Sequence, residues 1–174
     1  MAPFKIFTPD DSFVLVWTFV ILLITILNIV FIPYELSFLG EDRENQSSLI
    51  LIPLMESLFI LDILINFRTA YYSKGVLMTD TKSVFKKYLR SQFFFDAFAM
   101  LADIISVALV DSAAWYIKIL VILRIKKLAK LFNRIEDFLN LDRSYQAILK
   151  MIRLWATILI VAHFIACAFH LVAW

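Results

Sequence analysis

Lys118, Arg124, Lys127 and Lys130 stand at six- and three-residue intervals inside an otherwise apolar stretch, with Val121 in the slot where another cation would continue the series. Every third residue drifts by about a sixth of a turn along an α-helix, and lines up on one face if the segment tightens to a 3₁₀ helix. A cationic stripe of this kind can slide past fixed anions. Candidate anions are Glu56 and Asp62, with Phe59 midway between them in a second apolar stretch, and Asp96 near the inner end of a third. Intervals of three put acid, aromatic and acid on one helical face.

A charge held in hydrocarbon costs at least about 2.5–3.5 kcal/mol, so mid-span charges of both signs, able to pair, point to function. The expected mechanism is electrical. Phe59 plugs a water-filled crevice so that the membrane field falls over a short distance, while Asp62 and Asp96 stabilise whichever cation lies inside the plug. Moving one charge through that field is worth about 2.3 kcal/mol per 100 mV, enough for a few cations to convert potential into conformational work. The competing reading is a juxtamembrane basic helix on an anionic lipid surface, with the acids capping helices. Opposite charges matched across three consecutive spans disfavour it. Lys126 and Arg134 leave the stripe and are expected to face the cytoplasm or lipid headgroups.

The elements that must position these residues follow from composition. Of 174 residues 62% are hydrophobic and 18% charged, with two glycines, a balance far from that of a soluble domain. An all-α membrane protein with five crossings is expected, and the family resemblance given below implies a four-helix voltage-sensor bundle plus one pore-proximal transmembrane helix. Hydrophobic stretches at about 13–35, 49–70, 91–110 and 114–132 make a sensor-like domain over 1–132, 133–148 a cytoplasmic linker, and 149–174 a fifth transmembrane helix. The first stretch lacks a basic leader and a cleavage site and is read as a retained helix. Lys74, Lys82, Lys86, Lys87 and Arg90 place the 71–90 loop inside, against Glu41, Asp42 and Glu44 outside. Within that loop Ser73-Lys74-Gly75 reads as a turn, and Asp80-Thr81-Lys82 starts a short helix.

At this point the residues resemble the ether-à-go-go, hyperpolarisation-activated and cyclic-nucleotide-gated channels. Ile32-Pro33-Tyr34 with Leu36-Ser37-Phe38 resembles the end of that family's first helix. The run Phe59-Ile60-Leu61-Asp62-Ile63-Leu64-Ile65-Asn66-Phe67-Arg68-Thr69-Ala70-Tyr71 resembles its second and is the most specific signal. Gly75, Asp80, Tyr88-Leu89, Phe94 and Asp96 are similar to its link into the third helix, and Val161-Ala162-His163-Phe164-Ile165-Ala166-Cys167 to its fifth. The resemblance gives Phe59, Asp62 and Asp96 the charge-transfer roles already derived from spacing. It implies a cation channel subunit, with potassium the implied ion and a tetramer the implied assembly.

The departures matter too. Family sensors carry a longer, arginine-rich series, whereas Val121 and Asn133 interrupt this one and three of its four cations are lysine. Lysine is compact, strongly hydrated and lacks the planar fork, so a weakened or shifted sensor is expected. Trp174 falls before the filter loop, sixth helix and nucleotide-binding domain that the resemblance implies. Two functions are therefore carried: the voltage-sensing part of a channel subunit, or a poreless channel-derived accessory subunit with a structural role in a larger membrane complex. The membrane is the plasma membrane in the first reading and can be an organellar one in the second. A stand-alone proton channel is disfavoured, since Asn28 stands where such proteins carry an acid midway through the first helix. Membrane lipids and other subunits are the expected partners, and nucleic acid is not. No cofactor, metal or enzymatic activity is expected: His163, Cys167 and His170 share a helical stripe but lack a fourth ligand, and no nucleophile, base and oxyanion grouping occurs. Phe93-Phe94-Phe95 reads as packing, and Asp103 as either a further counter-charge or a water-contacting polar residue.

Overall fold

The computed structural model describes residues 6–38, 46–73, 75–108, 123–139 and 143–173, with no account of the side chains at 36, 46–49, 103, 106–108, 123, 139, 143 and 144. Six α-helices are described: α1 (Ser12–Phe38), α2 (Gln46–Asn66), α3 (Thr81–Tyr88), α4 (Phe94–Ala108), α5 (Leu123–Leu139) and α6 (Arg143–Ala173). A π-helical turn, Leu89–Phe93, joins α3 to α4. Lys118, Val121 and the start of the expected fourth span lie outside the described residues, as does the Asp103 side chain.

Helix α1 is apolar all round, as expected of a helix with no aqueous face. Val14, Thr18, Ile21, Thr25, Asn28, Ile29 and Ile32 are buried, while Phe13, Val16, Phe19, Leu23 and Leu27 are exposed. The Thr18 and Thr25 hydroxyls donate to the carbonyls of Val14 and Ile21, each at 2.7 Å, so that their polarity is spent within the helix. Pro33 lacks an N–H, and its ring crowds the carbonyl four residues back, so it loosens the last turns of α1. The His163 imidazole reaches this stretch, with Nε2 2.9 Å from the Val30 carbonyl.

Helix α1 packs chiefly on α5 and α6. Ile21, Leu22, Ile29, Phe59, Leu128, Leu131 and Ile135 form the core, with Trp17, Met55, Phe132, Ile160 and Phe164 packed around it. The pattern is inverted relative to a water-soluble protein: Glu56, Asp62, Arg124 and Lys127 are buried while dozens of large apolar side chains face outward. By length and apolarity two of the described helices can cross a membrane, Ser12–Glu35 and Tyr145–Ala173. The sequence leads to five crossings; α4 and α5, as described, are 15 and 17 residues long, shorter than a full crossing.

Two details depart from the sequence reading. Residues assigned to the 133–148 linker are helical at 133–139 and 143–148, since α5 runs to Leu139 and α6 begins at Arg143. The 71–78 segment is not merely a turn but a two-stranded antiparallel hairpin, β1 (Tyr71–Ser73) with β2 (Val76–Met78), in the register Tyr71 to Met78. Gly75 at φ 79° makes the reversal, a conformation that a Cβ would strain. Phe7 lies parallel to this region, its N–H donating to the Arg68 carbonyl at 2.9 Å and its carbonyl accepting from Ala70 at 2.8 Å.

Asp80 caps α3, its carboxylate accepting from the Ser83 hydroxyl at 2.8 Å and the Ser83 N–H at 3.1 Å. These bonds, the hydroxyl first, hold the Asp80 carboxyl below its usual range. A depressed carboxylate contributes stability that is complete above its unfolded value of about 3.9 and is lost as pH falls through the lower folded value. The Ser83 amide resonance is thus expected to titrate with a midpoint below about 3.9. A midpoint at or above that value would remove the cap from the account.

Candidate functional site

Helix α2 runs Glu56, Phe59 and Asp62 down one face, and α5 lays Arg124 and Lys127 against it. The Arg124 Nη2 donates to Glu56 Oε1 at 2.6 Å, both side chains being about 95% buried. One step along the helix, Lys127 Nζ lies 2.7 Å from Asp62 Oδ2 and 3.5 Å from Asp96 Oδ1 of α4. Phe59 is 3% exposed and sits between the two cations, with the Arg124 Cζ 4.0 Å and the Lys127 Nζ 4.8 Å from its ring centroid. The negative face of the ring attracts both. Each cation thus has a carboxylate on its own side of the ring.

Ion pairs inside a low-dielectric environment persist only when geometry is good and remaining polar atoms are satisfied. The second ligands come from elsewhere in the bundle. Trp17 of α1 donates its indole N–H to Asp62 Oδ1 at 3.1 Å, and Tyr88 donates its hydroxyl to Asp96 Oδ2 at 2.8 Å. Eight residues span about 12 Å on a straight α-helix. The π turn Leu89–Phe93 lies between Tyr88 and Asp96, and the Tyr88 phenol reaches forward along the chain to Asp96. Lys130 Nζ donates to Gln92 Oε1 in that same turn. Phe59, Ile63, Asp96, Ala99, Arg124 and Lys127 line a small cavity of about 10 Å³, about the room that a single water needs.

The structure therefore brings together seven of the eight singled-out residues, Glu56, Phe59, Asp62, Asp96, Arg124, Lys127 and, one turn lower, Lys130; the eighth, Lys118, lies outside the described residues. Arg134, expected to face the cytoplasm or lipid headgroups, is half-buried, and its Nη2 donates to Asn66 Oδ1 at 3.2 Å. Asn66 in turn donates to the Asp62 carbonyl at 2.8 Å, linking Arg134 to the acidic face of α2. Lys126 is exposed, over the Phe95 ring at 4.1 Å. Asn133 accepts from Arg153 Nη1 of α6 at 2.8 Å. Trp17, Tyr88, Gln92 and Asn66 were not legible as site residues. The only hint was a hydrogen-bonding tip on an otherwise apolar face, and many packing residues share it.

The pairing of in-span cations and acids raises the question of kinship, and the sequence pattern of the family described as "Ion transport protein" matches residues 14–174. The chain belongs to the ion transport protein family. This family member is 26% identical over 163 residues, 91% of its length, to the Potassium voltage-gated channel protein eag of Drosophila melanogaster. It is 30% identical over 173 residues, 92% of its length, to the mouse Voltage-gated inwardly rectifying potassium channel KCNH7. It is 26% identical over 163 residues, 91% of its length, to the human Voltage-gated delayed rectifier potassium channel KCNH5. The resemblance to the ether-à-go-go branch holds over nearly the whole chain. The chain spans 14% of the length of eag and of KCNH7 and 16% of that of KCNH5.

Proposed function

We propose that this chain is the voltage-sensing part of a cation channel subunit, with potassium the ion suggested by the names of its relatives. In this reading 1–132 is the four-helix sensor, α6 is the fifth, pore-proximal helix, and the α5–α6 region carries sensor movement to the pore. Lys118, Arg124, Lys127 and Lys130 are the moving charges. Glu56, Phe59, Asp62 and Asp96 form the fixed charge-transfer centre. The observation that carries the reading is Phe59 held between two successive cations, each paired to an acid on its own side of the ring. Sliding α5 by one step exchanges Lys127 for Arg124 at Asp62 and brings the uncharged Val121 slot to Glu56.

The test is transient, non-linear charge movement in voltage-clamped membranes carrying the protein. Lys127→Gln is expected to remove one charge and leave Asp62 and Asp96 unpaired, lowering the total charge moved. No voltage-dependent charge movement in the unmodified protein would overturn the reading.

A second reading is a poreless accessory subunit with a structural role in a larger membrane complex, in the plasma or an organellar membrane. What favours it is Asn133, which takes the next slot of the cation series and is tied to Arg153 of α6 as a static hydrogen bond. In that case the same ion pairs hold the bundle together, and charge movement is absent.

A further inference from the structure

On the side of the molecule where α2 ends, Ile6, Phe67, Arg68, Thr81, Val84 and Phe85 line a cavity of about 240 Å³ whose walls are almost wholly apolar. It is smaller than the pockets that enclose drug-sized molecules and suits a short stretch of hydrocarbon. Phe67 forms its back wall, fixed by the Phe85 ring at 4.9 Å and edge-on by Tyr88 at 4.7 Å. Phe85 remains 49% exposed at the mouth.

Helix α3 divides its surface sharply around this cavity. Thr81, Val84, Phe85 and Tyr88 fall at i, i+3, i+4 and i+7 and form the apolar stripe. Lys82, Lys86 and Arg90, at intervals of four, run along one flank and Lys87 along the other, and all four are exposed. The Lys87 ammonium rests 3.5 Å from the Tyr71 ring centroid, which holds that flank against the hairpin. Arg68, also exposed, adds a further cation at the cavity wall. Of the nearby acids, Asp10 accepts from the Tyr72 hydroxyl, Asp11 from the Thr8 N–H at 2.8 Å, and Asp80 from Ser83, with the Lys82 charge also acting on Asp80. A basic, amphipathic helix with an apolar stripe is the form that lies in a membrane interface, and its cations complement phosphate headgroups.

We propose that this cavity and its cationic rim bind one anionic phospholipid, with the phosphate between Lys82, Lys86 and Arg68 and an acyl segment in the cavity behind Phe85. The lipid would pin α3 and the hairpin to the bilayer surface beside the π turn that carries Gln92. The site is independent of the charge-transfer reading, because its occupancy needs no movement of α5.

The test is native mass spectrometry of the full chain extracted from vesicles of phosphatidylcholine containing either phosphatidylserine or a phosphatidylinositol bisphosphate. One anionic lipid per chain is expected to stay bound, in preference to phosphatidylcholine. Lys82→Gln and Lys86→Gln are expected to lower retention by about fivefold per cation removed. Thr81→Trp, which fills the mouth and leaves the cations in place, is expected to displace the lipid while the unfolding midpoint is kept. Equal retention of phosphatidylcholine would overturn the proposal, as would unchanged retention in either class of variant. Equal binding of the soluble inositol phosphate alone would also overturn it, since the acyl segment would then contribute nothing.

Discussion

Asp62→Asn is expected to shift the midpoint of voltage-dependent charge movement by about 40–70 mV, and Asp62→Lys to shift it further or abolish the movement. The estimate comes from two magnitudes. Breaking a buried ion pair by removing one partner costs about 3–5 kcal/mol, because the remaining charge is left uncompensated. Three charges crossing the field are worth about 7 kcal/mol per 100 mV. Asp62 is 2% exposed and holds Lys127 at 2.7 Å, so little water is at hand to replace the lost partner. The indole of Trp17, which donates to the other oxygen, also loses its charged acceptor. Charge movement unchanged in Asp62→Asn would take this acid out of the mechanism.

Phe59→Ala is the second large expected effect. Truncating a fully buried aromatic costs about 3–5 kcal/mol through lost burial and the cavity left behind. Here the new space would join the small void between Asp96, Arg124 and Lys127 and make room for water. Water in the plug spreads the field over a longer distance, so each cation crosses a smaller fraction of it and the charge–voltage curve becomes shallower. Phe59→Leu separates the two roles of the ring, since leucine restores apolar volume without a π face. It is expected to keep the slope while losing the cation–π attraction, of the order of 1–2 kcal/mol. Unfolding midpoints and charge–voltage slopes of the two variants, measured side by side, test this. An alanine variant with an unaltered slope would show that Phe59 is packing alone.

Much of the centre was legible because charge in an apolar run is costly and spacing is geometric. Glu56, Phe59 and Asp62 had to share a face of one helix, and Arg124 and Lys127 had to follow each other on another. What spacing could not supply was the third dimension. Trp17 and Tyr88 complete the acids from helices that carry no charge at those positions, so nothing in their own neighbourhoods marked them. The Arg134 contact was hidden for a different reason. The hydrogen-bond ladder of α5 continues past Asn133 to Leu139 and turns Arg134 towards Asn66, a contact between helices that spacing does not reveal. The hairpin at 71–78 escaped because strands of three residues are too short to display alternation, although its glycine turn was visible.

The proline in α1 and the histidine in α6 show the same limit. His163 lies on a helical stripe with Cys167, and its partner is a carbonyl 133 residues away, beside the loosened turn that Pro33 makes. Ser37 donates to the Cys167 carbonyl at 2.9 Å one turn further along. These two contacts tie α1 to α6. Among the described residues no group of three or more His, Cys, Asp and Glu side chains is placed to hold a metal ion.

The central claim is that α5 carries Arg124 past Phe59 when the potential changes, and a single thiol at position 124 tests it most directly. Cys167 is the one cysteine in the chain, so Arg124→Cys in a Cys167→Ser background offers one reactive site. A membrane-impermeant thiol reagent applied from each side, at strongly negative and strongly positive potentials, reports which crevice the position faces. The account predicts that the side from which the thiol reacts changes with voltage, because the residue crosses the ring of Phe59. Reaction from one side alone, at a rate independent of voltage, would contradict it and leave the ion pairs as fixed ties within a structural subunit.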